Sequence, residues 1–130
     1  MNIYGIGTDI ANISRFKKLI KNRNFINRVF NAVETKKCKS LSNPSNCFAK
    51  RFAAKEAFVK ALGTGVSNGI NFKEICIHNT KSGKPNVKLI GATKKIVNKI
   101  LKKKFKVFLS LSDDKPFAVA TAIISIWTKK

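Results

Sequence analysis

The 130 residues are 44% hydrophobic, and 27 Lys and Arg stand against six Asp and Glu, a formal charge of +21. That length buries one core but not two, so a single domain over residues 1–130 is expected. No apolar run approaches the roughly 20 residues of a membrane span, and no basic leader with a cleavage site precedes the first strand-like segment. The expected location is the cytoplasm, with no membrane partner.

Such a charge attracts polyanions: nucleic acid, phosphorylated small molecules or an acidic protein. Part of it reads as solvated lysine in a composition also rich in asparagine. Cys38, Cys47 and Cys76 form neither an even set nor a CxxC pair, so reduced thiols are expected.

In chain order, Ile3 to Ile10 reads as a strand with two glycines, Gly5 and Gly7, and Asp9 near its end. Glycine inside a strand marks a close approach to the backbone. Ser14 is placed to cap a helix over Arg15 to Ile20, and Phe25 to Val33 repeats apolar residues at helical spacing. Asn43, Pro44 and Ser45 break the chain before Cys47 to Leu62, an alanine-rich helix apolar on nearly all sides and ended by Gly63. Such a helix is expected to be largely buried.

The loop Gly63 to Asn71 leads to a strand over Phe72 to His78. Ser82 to Pro85 marks a turn into a short strand, Asn86 to Ile90. Ala92 to Lys104 is a lysine-faced helix, and Lys106 to Ser112 with Phe117 to Ile126 forms a hairpin around Asp113, Asp114, Lys115 and Pro116. The order predicts an α+β fold with helices on a mainly antiparallel sheet.

With six acids in the chain, their placement is informative. Glu34 and Glu74 read as surface residues, and Asp113 and Asp114 as turn residues. Asp9 and Glu56 remain. A carboxylate in the mostly apolar helix is costly without a compensating cation. Two such groups meeting in space suit Mg²⁺, which takes one or two protein carboxylates plus water and substrate phosphate. The competing reading of Glu56 is a helical ion pair with Lys60 at i+4. Arg51, Lys55 and Lys60 share that helix, and the Gly63-Thr64-Gly65 loop offers backbone N–H groups to a phosphate, although no Walker P-loop is present. His78 reads as a surface or turn residue, Trp127 as core, and Lys102 to Lys106 as a solvated helix end.

Taken together, GIGTDI (Gly5 to Ile10), Arg15-Phe16, RFAAKEAFVKALGTG (Arg51 to Gly65), SGKP (Ser82 to Pro85) and SLSDD (Ser110 to Asp114) resemble the holo-acyl-carrier-protein synthase family. The motifs fall in the family's order and at similar spacing along essentially the whole chain. The resemblance implies a 4′-phosphopantetheinyl transferase fold assembled as a homotrimer, with coenzyme A and apo acyl carrier protein as substrates, in support of fatty acid biosynthesis. It implies Mg²⁺ on Asp9 and Glu56, with Lys60 at the pyrophosphate, these three forming the catalytic set. Arg51, Lys55, Gly63, Thr64 and Gly65 join Lys60 as expected substrate contacts. The first helix of the family receives an acidic carrier helix, which points to Arg15, Lys18, Lys21 and Arg28. The family commonly carries a histidine where this chain has Asp113. The second reading, a basic non-catalytic nucleic-acid-binding domain, rests on charge alone and leaves Asp9 and Glu56 without a role.

Overall fold

The structure is a computed structural model, and it describes residues 1–65 and 69–128. Strand β1 (Asn2–Asn12) is followed by four helices, α1 (Ile13–Leu19), α2 (Arg23–Val29), α3 (Ala32–Lys39) and α4 (Pro44–Leu62). A 3₁₀ turn (Phe72–Glu74) leads to β2 (Ile75–Asn79) and β3 (Pro85–Leu89). Helix α5 (Gly91–Leu101) then precedes β4 (Phe105–Asp114) and β5 (Phe117–Ile126). Strands β1, β5 and β4 form one antiparallel sheet in that order, and β2 pairs antiparallel with β3 in a second. The predicted α+β class, with helices on an antiparallel sheet, is what forms.

Helix α4 lies across β1 and β5 and supplies much of the core. Its Phe48, Ala53, Ala57 and Phe58 are wholly buried, and Ala118, Ala120, Ala122 and Ile124 face it from β5. A row of alanines lets the helix axis come close, while each buried phenylalanine contributes about 1.5–3 kcal/mol. β1 carries the closest approach: a Cβ on Gly5 would collide with the carbonyl of Ala61, and one on Gly7 with that of Ala57. The glycines of the first motif are therefore the surface on which α4 lies. The helix starts with Pro44 in its first turn and stops at Gly63, whose φ of 86° is the left-handed cap that glycine adopts cheaply.

Several local expectations are corrected. The cap of α1 is Asn12, whose side chain accepts from Ser14 N at 2.9 Å, so Ser14 lies inside the first turn. The segment read as one helix to Val33 ends at Val29, and a separate helix α3 begins at Ala32. α3 has little apolar periodicity; it is held by a capping box in which Asn31 and Glu34 each accept the other's backbone N–H. Phe72 to Glu74 is a 3₁₀ turn, and β2 begins only at Ile75. Asp113 and Asp114 end β4, since their ladder to Ala118 and Phe117 continues up to the two-residue link. Trp127 is 39% exposed, because β5 leaves the sheet at Ile126.

The expectation of three reduced thiols is also overturned. Cys38 at the end of α3 and Cys47 near the start of α4 are disulfide-bonded, with Cα atoms 5.3 Å apart, and Cys76 is free. An odd cysteine count conceals a pair that the α3–α4 corner brings face to face.

Candidate active site

Along β1, alternation turns Gly7, Asp9 and Ala11 toward α4 and leaves Ile6, Thr8 and Ile10 on the other face. Asp9 thereby reaches the helix beside Lys60. Lys60 Nζ lies 3.0 Å from Asp9 Oδ1 and also donates to the carbonyl of Thr8 at 3.0 Å. Glu56, one turn earlier, makes no salt bridge among the described residues, so the i+4 helical pair is not formed; Lys60 turns to the strand instead. Burial pushes the Glu56 carboxyl above its usual range, the charge of Asp9 pushes it further, and Lys60 opposes both. A carboxylate whose ionisation its neighbour opposes, with one half-exposed ammonium between strand and helix, forms a donor set that a divalent cation would relieve. Among the described residues no group of three or more metal-ligating side chains occurs. A pair of carboxylates fits Mg²⁺, whose remaining positions go to water and phosphate.

A second cluster lies toward the N-terminal half of α4. A cavity of about 460 Å³ is bordered by Lys37, Asn46, Lys50, Arg51, Asn79 and Gly83. Arg51 is 7% exposed; its Nη2 donates to Asn79 Oδ1 at 3.1 Å while its Nε has no partner. Asn46 Oδ1 is likewise buried without a partner. A buried unpaired donor and a buried unpaired acceptor on one cavity are costly in an empty site and are satisfied by a polar ligand. Asn79 Nδ2 in turn donates to the Gly83 carbonyl at 2.9 Å, which ties the Ser82–Pro85 turn to α4 through Arg51.

Asp113 stands at the same end of the molecule. It takes Lys50 Nζ on one oxygen at 2.9 Å and Asn46 Nδ2 on the other at 3.1 Å. The Asp113 charge, at the position where the resemblance expects a histidine, is thus partly offset by a neighbouring lysine.

Lys55, expected among the substrate contacts, is placed elsewhere. It is fully buried, and its ammonium donates to Glu34 Oε1 at 2.7 Å and to the carbonyls of Val29 and Phe72 at 2.8 Å each. An ammonium has three protons. All three are spent inside the protein. Glu34, read from the sequence as a surface acid, is 3% exposed and also accepts from Ile77 N at 2.9 Å. Glu74 is no free surface acid either: it accepts from Thr93 N and Oγ1 at the start of α5, bonds that hold its carboxyl below the usual range.

Gly63 and Gly65 hold positive φ with no crowding atom among the described residues, and Thr64 Oγ1 donates to the Gly65 carbonyl at 3.1 Å. Residues 66–68 of the same loop lie outside the described residues. Arg15 borders a cavity of about 210 Å³ floored by Phe16, Leu19, Phe25 and Phe52. Lys18 and Lys21 are exposed close by in sequence, whereas Arg28 borders a different hollow with Ile70 and Phe72. His78 is half-buried and paired with Asn86 across β2 and β3.

A carboxylate pair with a lysine beside it and a cavity lined by Lys37, Lys50 and Arg51 thus lie along α4. The family follows from likeness to known proteins: residues 5–128 match the 4′-phosphopantetheinyl transferase superfamily, and the chain belongs to it. The chain is 47% identical to the holo-[acyl-carrier-protein] synthase of Pelagibacter ubique, over 95% of this chain and 98% of that one. Its fold matches a crystal structure of the Neisseria meningitidis holo-[acyl-carrier-protein] synthase with a TM-score of 0.83 at 35% identity, covering 95% and 98% of the two chains. The Bacillus anthracis synthase, solved in complex with CoA (3′,5′-ADP), gives a TM-score of 0.78 at 33% identity, covering 95% and 97%. These relatives lend no support to a non-catalytic nucleic-acid-binding domain.

Proposed function

We propose that this chain transfers the 4′-phosphopantetheine arm of coenzyme A to a serine hydroxyl of apo acyl carrier protein, releasing 3′,5′-ADP, in support of fatty acid biosynthesis. The observation that carries the reading is the convergence of Asp9, Glu56 and Lys60 where β1 crosses α4, on the helix that also carries Arg51 and Lys50. Coenzyme A has a pyrophosphate and a separate ribose phosphate. The carboxylate pair with Lys60 and the Lys50–Arg51 cavity offer one place for each.

Asp9 and Glu56 would hold Mg²⁺, which when bound neutralises charge on the pyrophosphate. Lys60 adds a donor on the same side. Arg51 and Lys50 receive the ribose phosphate, with Lys50 offsetting Asp113. Attack by the carrier serine oxygen forms a new P–O bond and breaks the one to the adenosine-side phosphate. The protein's part is positioning and charge neutralisation, which is how phosphoryl-type transfer is generally catalysed.

The carrier docks on α1, where Arg15, Lys18 and Lys21 offer positive charge beside the apolar hollow of Phe16, Leu19 and Phe25. Three copies of the chain cover the exposed outer face of the sheet, where Ile6 and Ile10 are 65% and 60% accessible. The setting of this reaction is the cytoplasm. Among the described residues no helix is long and apolar enough to cross a membrane.

The test is to incubate the protein with coenzyme A, Mg²⁺ and apo carrier and to weigh the carrier by mass spectrometry. A gain of one phosphopantetheine per carrier is expected, with Arg15→Glu raising the carrier KM far more than that of coenzyme A. No gain under any divalent metal or pH overturns the reading.

A further inference from the structure

We propose that the lysine edge running from α5 to β4, with Trp127 at its end, rests peripherally on an anionic lipid surface. Lys95 and Lys99 fall at i and i+4 and so share one side of α5, and Lys102 at its left-handed C-cap, Lys103 and Lys104 continue the edge. None of them has an acidic partner: the ion pairs among the described residues involve Lys50, Lys55 and Lys60, and all six acids lie within those residues. The transfer site uses none of this charge.

Trp127 is the second observation. Its backbone N donates to the carbonyl of Lys104 at 2.9 Å, which pins the exit of β5 to the lysine edge. Lys104 Nζ lies 5.1 Å from the centre of the ring, and the indole is still 39% exposed beside an open hollow of about 590 Å³ walled by Lys102 and Lys103. An amphipathic ring at the rim of a cationic edge is the arrangement that settles at the headgroup level of a bilayer, while lysines gain from the negative leaflet.

A lipid surface fits better than nucleic acid. Arginine, which grips phosphates with a planar fork, is missing from residues 91–130, and one of the two tryptophan faces on which a base would stack is covered by Lys104. Peripheral contact of this kind needs no spanning helix, so it departs from the expectation of no membrane partner without needing a membrane span.

Trp127 is the only tryptophan in the chain, so tryptophan emission, excited to the red of the tyrosine band, reports on this position alone. The full-length protein is titrated with vesicles of phosphatidylcholine, with and without phosphatidylglycerol, following emission and co-sedimentation. A blue shift and pelleting with the anionic vesicles only, both reversed by salt, are expected. The variant Lys102→Ala/Lys103→Ala/Lys104→Ala should lose binding on the order of a hundredfold at unchanged turnover. No binding to anionic vesicles, equal binding to neutral ones, or a single-stranded RNA that displaces the vesicles and quenches Trp127 overturns the proposal.

Discussion

Lys55 and Glu34 show how a residue's chemistry follows from where the chain takes it. In sequence, Lys55 sits beside Glu56 in a motif full of cations, and a phosphate contact is the natural reading. In the fold its ammonium is fully buried and shared among Glu34, Val29 and Phe72, joining α2, α3 and the turn before β2. Burial lowers its pKa and Glu34 resists that fall. Lys55→Met should therefore destabilise the protein by about 3–5 kcal/mol, because it strands the Glu34 carboxylate in the interior. Pairing it with Glu34→Gln should restore part of the loss. Urea unfolding of both variants checks this; an unchanged midpoint in the single variant contradicts the placement. The sequence did hold a signal for Glu34, since Asn31 three residues before it makes a capping box, but short polar helices offer no periodicity to support it.

Among the elements, β1 and α4 were legible because each carries its own pattern. β1 has apolar residues with glycines at the contact points, and α4 has alanines, an N-terminal proline and a terminating glycine. Their crossing is also what brings Asp9 to Lys60. Gly7→Ala should push strand from helix at Ala57, with a stability cost of about 1–3 kcal/mol, and should reduce turnover beyond what the lost folded fraction explains. Thermal melts and kcat on the same samples separate the two effects; wild-type turnover per folded molecule contradicts the role of this crossing. What stayed hidden at this scale depends on long-range geometry. The Cys38–Cys47 bond and the pairing of Lys50 with Asp113 join residues that no local window places together.

For the molecule as a whole, the fold class was readable, since a strand, a helical block and a late hairpin leave few ways to cover one antiparallel sheet. The face of the sheet away from α4 is another matter. Ile6 and Ile10 alternate with Thr8 as an amphipathic strand would, yet in the single chain they stand in solvent. Exposed apolar surface of this kind marks a contact, which in the proposed trimer is made by the other copies. Ile6→Lys should yield a folded monomer by light scattering with much reduced turnover. A trimer that survives the change, or a wild-type monomer with full activity, contradicts that assembly.

At the centre of the proposed chemistry, β1 and α4 together build a carboxylate pair that would hold the metal for the coenzyme's pyrophosphate. Calorimetric titration of coenzyme A with and without Mg²⁺, on the wild type and on Glu56→Gln with its fold verified by circular dichroism, addresses it directly. Mg²⁺ should strengthen binding to the wild type, and this metal-dependent gain should disappear in Glu56→Gln. The same gain in both proteins would contradict a metal site at Asp9 and Glu56.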